Sequence, residues 1–280
     1  MKKAPQAITV AHSPDSDDAF MFYALATHKV GLPGVKFKHV LSDIEDLNRR
    51  ALNAEFDVTA VSFHAYPYLQ DQYRLLNHGG SVGYGYGPMI VAARPMPLKE
   101  VRTKTIAIAG ERTTSALVLR LWDPQVKTTV IPFDQIIPAI VEGRVEAGLL
   151  IHEGQLTYSA SGLHKILDVG RWWLDTTQLP LPLGGNVVRR DLPKEFSAQL
   201  SKVLKASIQY GLDHREEALQ YAHQFARDMD SHLADQFVGM YVNERTLRYG
   251  DDDKRAIKEL LERGHAAGII PTKPKLDFLD

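Results

Sequence analysis

Apolar and polar positions along the first part of the chain follow a strand–turn–helix rhythm. Ile8-Thr9-Val10-Ala11-His12 reads as a strand, and Ser13-Pro14-Asp15-Ser16-Asp17-Asp18 as a turn rich in helix N-cap residue types. Residues 19–27 then have the apolar density of a helix. Residues 35–41 predict a second strand, and Ser42-Asp43-Ile44-Glu45-Asp46 an acidic start to a helix that ends near Asn53. Residues 57–61 predict a third strand, with Ser62-Phe63-His64-Ala65-Tyr66 leaving its end. This alternation predicts an α/β fold with a largely parallel sheet.

The middle of the chain changes character. Gly79-Gly80 and Gly83-Tyr84-Gly85-Tyr86-Gly87-Pro88 form a glycine-rich stretch, residues 89–93 read as a strand, and Arg94-Pro95-Met96-Pro97 as a linker. A second α/β series comes next: a strand at 105–109, a helix after Thr113, a strand near 128–131 and a helix around 135–142. It closes with the apolar run Ala147-Gly148-Leu149-Leu150-Ile151, which stops abruptly on His152-Glu153-Gly154. A short apolar run bounded by turn signals reads as a buried strand. Leu179-Pro180-Leu181-Pro182-Leu183-Gly184-Gly185 reads as a second linker, leading into Asn186-Val187-Val188. From Glu195 onward the pattern is helical and amphipathic, with Leu200, Val203, Leu204, Ser207 and Ile208 at helical spacing. Two linkers bracketing one series predict a discontinuous larger lobe, 1–94 with 187–280, and a smaller inserted lobe, 95–186. Two such lobes joined by a double hinge enclose a cleft, a favoured ligand site. The simpler alternative is one sheet with ordinary loops.

Composition narrows the function classes. With 280 residues, 44% of them apolar, the chain is long enough for a sizeable core. A net charge of -1 provides no basic field for nucleic acid or an anionic membrane. The absence of cysteine excludes disulfides, thiolate metal sites and cysteine nucleophiles. Met1-Lys2-Lys3 resembles the positive start of a leader, but Pro5, Gln6, Thr9, His12 and Ser13 break up the next stretch, and acids arrive before any apolar segment forms. No apolar run approaches the ~18 residues of a membrane span. A cytoplasmic protein is expected.

Candidate chemistry concentrates at strand exits. In an open α/β sheet ligands bind at the carboxyl ends of strands, so His152 stands where a general base would be placed; the alternative is a histidine that caps the strand and bonds a loop carbonyl. Ser62 leaves another strand, and Thr113, Thr114 and Ser115 open a helix whose unpaired amides can hold an anion. Plain N-capping explains the same residue types. Arg112 can grip a carboxylate with two parallel hydrogen bonds or sit in a solvated turn. Gly83, Gly85 and Gly87 allow close backbone approach to a ligand or a bend at a lobe crossing. The strand after them rules out a dinucleotide-binding fingerprint. His12, His64 and His78 lack zinc-ligand spacing, and a structural role is expected for them. Asp18 reads as a cap or an orienting acid at the cleft. Trp172, Trp173 and Tyr158 are either an apolar wall for a ring or core.

The stretch from Ser13 to Leu25, Ser-Pro-Asp-Ser-Asp-Asp-Ala-Phe-Met-Phe-Tyr-Ala-Leu, resembles the opening motif of the futalosine-pathway menaquinone enzymes. That motif runs Ser-Pro-Cys-Pro-Asn-Asp-Thr-Phe, then an apolar pair and Ala-Leu. Gly83 to Pro88, Arg112-Thr113-Thr114, Ile151-His152-Glu153-Gly154 and Leu179 to Gly184 also match in order, so the resemblance covers nearly the whole chain. It is closest to the 1,4-dihydroxy-6-naphthoate synthase branch. It implies a type 2 periplasmic-binding-protein fold used as a cytosolic enzyme, with neither metal nor nucleotide cofactor. The implied activity is a carbon–carbon lyase that cleaves cyclic de-hypoxanthine futalosine to dihydroxynaphthoate and dihydroxyacetone. The histidine of the Ile-His-Glu motif, here His152, is the implied base. Ser62, Thr113, Thr114, Asp18, Gly87 and Arg112 are the expected substrate-binding residues. Asp15-Ser16-Asp17 departs from the family's Cys-Pro-Asn and places extra negative charge at a cleft expected to receive an acid. The expected partner is a small-molecule carboxylate, with a homodimer left open. Two other readings remain: a sister enzyme resembling chorismate dehydratase, which the Ile-His-Glu-Gly block disfavours, and a non-enzymatic solute-binding protein for a small carboxylate.

Overall fold

The computed structural model describes residues 5–226 and 229–280; Met1-Lys2-Lys3, which only mimic the positive start of a leader, lie outside them. The chain opens as its apolar pattern predicts, with β1 (Ala7–His12), α1 (Ser16–Ala26), β2 (Lys36–Leu41), α2 (Ile44–Ala51) and β3 (Val58–Ser62). β1 pairs in parallel with both β2 and β3. α2 starts where Asp43 accepts a hydrogen bond from the Asp46 N–H. Acids in its first turn and Arg49 and Arg50 in its last turn suit the helix dipole. α1 is buried along nearly its whole length, because the helices Lys194–Asp213 and Arg215–His223 cover it. The Ser207 hydroxyl locks that contact, donating to the Met21 carbonyl and accepting from the Leu25 N–H.

The remaining strands are β4 (Tyr73–Leu76), β5 (Ser81–Gly83), β6 (Met89–Ala92), β7 (Thr105–Ile108), β8 (Lys127–Val130), β9 (Ala147–Leu150), β10 (His164–Asp168), β11 (Leu181–Arg189) and β12 (Phe278–Leu279). They build two sheets. One has seven strands in the order β12-β4-β11-β3-β1-β2, with β5 paired to β11; the other has five in the order β10-β6-β9-β7-β8. Both are mixed, not largely parallel. β11 runs antiparallel to β3, β4 and β5, and β6 antiparallel to β9 and β10. Parallel neighbours need a crossover connection, usually helical. β6 and β11 are delivered from the other lobe and are free of that constraint.

Strand membership moves the lobe crossings. Residues 89–92, placed by the linker reading in the first lobe, pair within the five-stranded sheet, so the first crossing lies at residues 84–88. The segment 179–185, read as a linker, is largely strand: β11 starts at Leu181 and pairs with β5 and β3 through Gly184 and Gly185. Its composition looks like a linker for steric reasons. A Cβ at Gly185 would stand 2.8 Å from the Tyr249 hydroxyl and 3.0 Å from the Phe63 ring. Pro182 sits next to an irregularity in the register, where a missing N–H is tolerated. The helix Asp251–Ala266 buttresses both lobes, since Ile257, Leu260 and Leu261 pack in one cluster with Val61 and Phe63 on one side and Ile106 and Leu117 on the other. Among the described residues, no helix is long and apolar enough to cross a membrane.

Candidate active site

A cavity of about 100 Å³ lies where the two sheets face each other. The seven-stranded lobe contributes Ser13 from the turn between β1 and α1, Asp17 and Asp18 from the first turn of α1, and Ser62 from the end of β3. The five-stranded lobe contributes Thr113, Thr114 and Ser115 from the start of the helix Thr114–Trp122, and His152 from the exit of β9. Phe237 and Tyr241, on the helix Ser231–Tyr241, supply much of the apolar wall with Ile44, Ile151 and Leu183.

His152 has a backbone φ of +52°, a left-handed conformation that a residue with a Cβ adopts at some energetic cost. The strand therefore turns sharply as it leaves the sheet. The imidazole packs edge-on to Phe133, with ring centroids 5.0 Å apart. Its Nδ1 lies 3.0 Å from Oδ2 of Asp15, whose side chain is 1% exposed. Its Nε2 is buried and makes no hydrogen bond among the described residues. A ring with one nitrogen against a carboxylate and the other bare can accept a proton from a bound molecule.

The acids of the turn are held differently. Asp18 accepts the Ser13 N–H at 2.7 Å, which closes the turn. Burial pushes its pKa up to about 6 against that hydrogen bond, with Asp15 adding repulsion. Asp17 is raised well above the ordinary carboxylate range by burial and by the negative charges of Asp18, Asp15 and Glu153. The same burial raises the Tyr241 hydroxyl, which donates to Gln155 Oε1 at 2.9 Å.

Opposite these acids stands a group of donors. Ser62 is positioned by the fully buried Asn48 of α2, whose Oδ1 accepts the Ser62 N–H at 2.8 Å and whose Nδ2 donates to Ser62 Oγ at 3.0 Å. Ser62 Oγ is thereby an acceptor for Asn48 and keeps its own proton to donate elsewhere. Thr113 caps the helix Thr114–Trp122, accepting the Ala116 N–H at 3.2 Å and donating to the Gly110 carbonyl. Thr114 joins the lobes, because its hydroxyl accepts from the His64 N–H and donates to the Leu183 carbonyl of β11. The first-turn amides of this helix present partial positive charge toward the cavity. Helix capping and anion binding are thus combined at one place.

A family profile described as menaquinone biosynthesis matches residues 8–266. The chain belongs to that family. It is similar to the 1,4-dihydroxy-6-naphthoate synthase of Thermus thermophilus, with 36% identity over 274 residues that cover 98% of this chain and all of the relative. The synthase of Streptomyces coelicolor is 38% identical over 271 residues, covering 94% and 95%. The crystal structure of protein AF1704 from Archaeoglobus fulgidus superposes with a TM-score of 0.92 at 44% identity, over 96% of this chain and all of that one. The alkanesulfonate-binding protein SsuA of Xanthomonas axonopodis pv. citri superposes with a TM-score of 0.73 at 11% identity, over 97% and 96%; at that identity the likeness concerns the fold alone. The fold is that of the periplasmic binding proteins, and this family uses it in biosynthesis.

Within this menaquinone-family frame, the cavity brings together Ser62, Thr113, Thr114, Asp18 and His152 from the sequence reading. It leaves out two. The Arg112 guanidinium lies over the Tyr68 ring, 5.4 Å from its centre, while its backbone N–H donates to Glu45 at 3.2 Å. Gly87 belongs to the lobe crossing, where a Cβ would meet the Gly170 Cα at 3.0 Å and Leu181 at 3.2 Å. The aromatic wall also differs: Trp173 is fully buried core, with its indole N–H donating to the Pro180 carbonyl. His12, His64 and His78 sit in three separate surroundings, bonded to Ser13 and His39, to Thr113, and to Ser201 respectively. Sequence reasoning missed Ser13, Asp17, Gln155, Phe237 and Tyr241. The recurrence of Ala234, Phe237, Val238 and Tyr241 marks an apolar helix face, but spacing does not tell a core face from a cavity wall.

Proposed function

We propose that this chain is a 1,4-dihydroxy-6-naphthoate synthase: a carbon–carbon lyase, working in the cytoplasm, that splits cyclic de-hypoxanthine futalosine into 1,4-dihydroxy-6-naphthoate and dihydroxyacetone. The observation that supports it best is the buried, unpartnered Nε2 of His152 in a cavity with hydroxyl and amide donors on one side and an apolar wall on the other. The donors Ser62 and the amides at Thr114 and Ser115 suit an aromatic carboxylate, and Phe237, Tyr241, Leu183 and Ile151 suit its rings. His152 takes a proton from a substrate hydroxyl. The neighbouring carbon–carbon bond breaks, its electron pair enters the ring that becomes the naphthalene, and dihydroxyacetone departs. Closure of the lobes excludes water during this step.

Incubation with cyclic de-hypoxanthine futalosine, with product followed by mass spectrometry, tests the reading. His152→Ala is expected to lower turnover by about 10²–10⁴-fold while retaining ligand binding. Near-normal turnover in that variant would remove His152 as base. Tight binding without product from the parent protein would favour a receptor.

A further inference from the structure

We propose that Asp15 is the positioning residue for His152, and that this pair is assembled only when the two lobes close. The proposal rests on His152 being the base of the reaction proposed above. Asp15 occupies the N-cap position of α1, where an aspartate ordinarily accepts a hydrogen bond from the first-turn amides. Here its side chain makes no cap hydrogen bond and is turned to His152. It is 1% exposed, and neither carboxylate oxygen accepts a hydrogen bond from any described group; the approach of His152 Nδ1 to within 3.0 Å is a charge contact. A buried carboxylate held this way needs a cationic or N–H partner, and the imidazole provides one. A proton on Nδ1, facing the carboxylate, is the tautomer that leaves Nε2 bare in the cavity. When Nε2 takes the substrate's proton, the imidazolium forms beside the Asp15 carboxyl group, and the proton later leaves from Nε2.

The two partners ride on different bodies. Asp15 leads out of β1 in the seven-stranded lobe, and His152 leaves β9 in the five-stranded lobe. The present arrangement is closed, as the bonds from Thr114 to Leu183 and from Arg112 to Glu45 show. Opening would draw the carboxylate off the imidazole, so the base acquires its orientation together with the closed site. This gives the acidic turn a use: its departure from the family's Cys-Pro-Asn supplies the acid. The other titratable groups facing the pair are Asp17 and Asp18 on α1, Glu153 beside His152, His12 at the end of β1, and Tyr241.

Two measurements test the pair. In Asp15→Asn, kcat is expected to fall by about 10³-fold with KM within about threefold of the parent. The acid limb of kcat/KM should move to lower pH, because the imidazolium loses its carboxylate. A merely structural role would lower the melting temperature and raise KM while leaving that limb in place, and this result would overturn the proposal. Independently of turnover, ¹⁵N NMR of the histidine-labelled parent, with the His152 resonances assigned from His152→Asn, reads the tautomer with and without 1,4-dihydroxy-6-naphthoate. Protonated Nδ1 with bare Nε2 is expected in the parent and its loss in Asp15→Asn; an Nε2–H tautomer in the parent refutes the pair. A parent that turns nothing over yet shows the expected tautomer change defeats the proposed reaction and leaves the pair standing. An active parent whose Asp15→Asn variant keeps kcat and tautomer defeats the pair alone.

Discussion

Asn48 offers the sharpest test of how the donor side of the cavity is built. It is fully buried on α2, yet it makes no contribution to the apolar core; its amide spans Ser62 and reaches the Arg112 carbonyl across the lobe boundary at 3.5 Å. Asn48→Ala removes two good hydrogen bonds, at 2.8 and 3.0 Å, and strands the Ser62 N–H in a dry place. Each lost bond is worth about 1 kcal/mol, and a buried unsatisfied N–H costs about 1–2 kcal/mol more, for a total of about 3–4 kcal/mol. In a chain of this size that corresponds to a fall in Tm of roughly 5–7 °C. Urea unfolding of parent and variant measures it directly. Asn48→Asp separates stability from function. It keeps an acceptor for the Ser62 N–H but puts a second acceptor against Ser62 Oγ, so the serine proton turns away from the cavity to the new carboxylate. KM for the carboxylate substrate should rise by about tenfold, the equivalent of one hydrogen bond at ~1.4 kcal/mol. A destabilisation under about 1 kcal/mol in Asn48→Ala, together with an unchanged KM in Asn48→Asp, would refute this account of Ser62.

The same geometry makes stability sensitive to pH and to the tie between the lobes. Burial lowers His12, His39, His64 and His78 from 6.5 to about 4, so the unfolded chain takes up protons below pH 6.5 that the folded chain refuses until about pH 4. Their stabilising contribution is complete above pH 6.5 and is lost as pH falls through that window, about 2 kcal/mol per histidine between pH 7.5 and 5. Asp17 and Asp18, both raised, act oppositely, and Asp18 destabilises as pH rises through about 6. Glu45 and Asp168, also raised by burial, act in the same sense as these acids; with the four histidines dominant, the urea midpoint should fall from pH 7.5 to 5, and fall less in His78→Gln, and a rising midpoint would contradict that dominance. Thr114→Val deletes the hydroxyl that ties the five-stranded lobe to His64 and Leu183 of the seven-stranded lobe, at about 1–2 kcal/mol of stability. A weakened closed state should also raise KM, and an unchanged melting temperature and KM would show that this tie does not hold the lobes together.

Much of this protein is written locally. The strand–turn–helix alternation up to β3 comes from residue periodicity and N-cap chemistry, both nearest-neighbour properties, and it survives in the structure with small shifts at the ends. His152 is legible for a similar reason: a polar residue that ends a buried apolar run must stand at a strand exit, wherever the sheet goes. The linkers were not legible. Leu179 to Gly185 has loop composition because Gly185 must clear Tyr249 and Phe63, which are distant in sequence. Arg112 and Gly87 have plausible ligand-binding chemistry, but tertiary packing sends one onto Tyr68 and uses the other at the crossing. Above all, the partnership of Asp15 and His152 is invisible along the chain. Sequence determines which groups are present and what local backbone carries them, whereas the distance between a turn on one lobe and a strand exit on the other is set by how two sheets close over a cavity. A pair separated by so much chain acquires its chemistry only from that closure, since a carboxylate and an imidazole influence each other's proton over a few ångströms and hardly at all beyond.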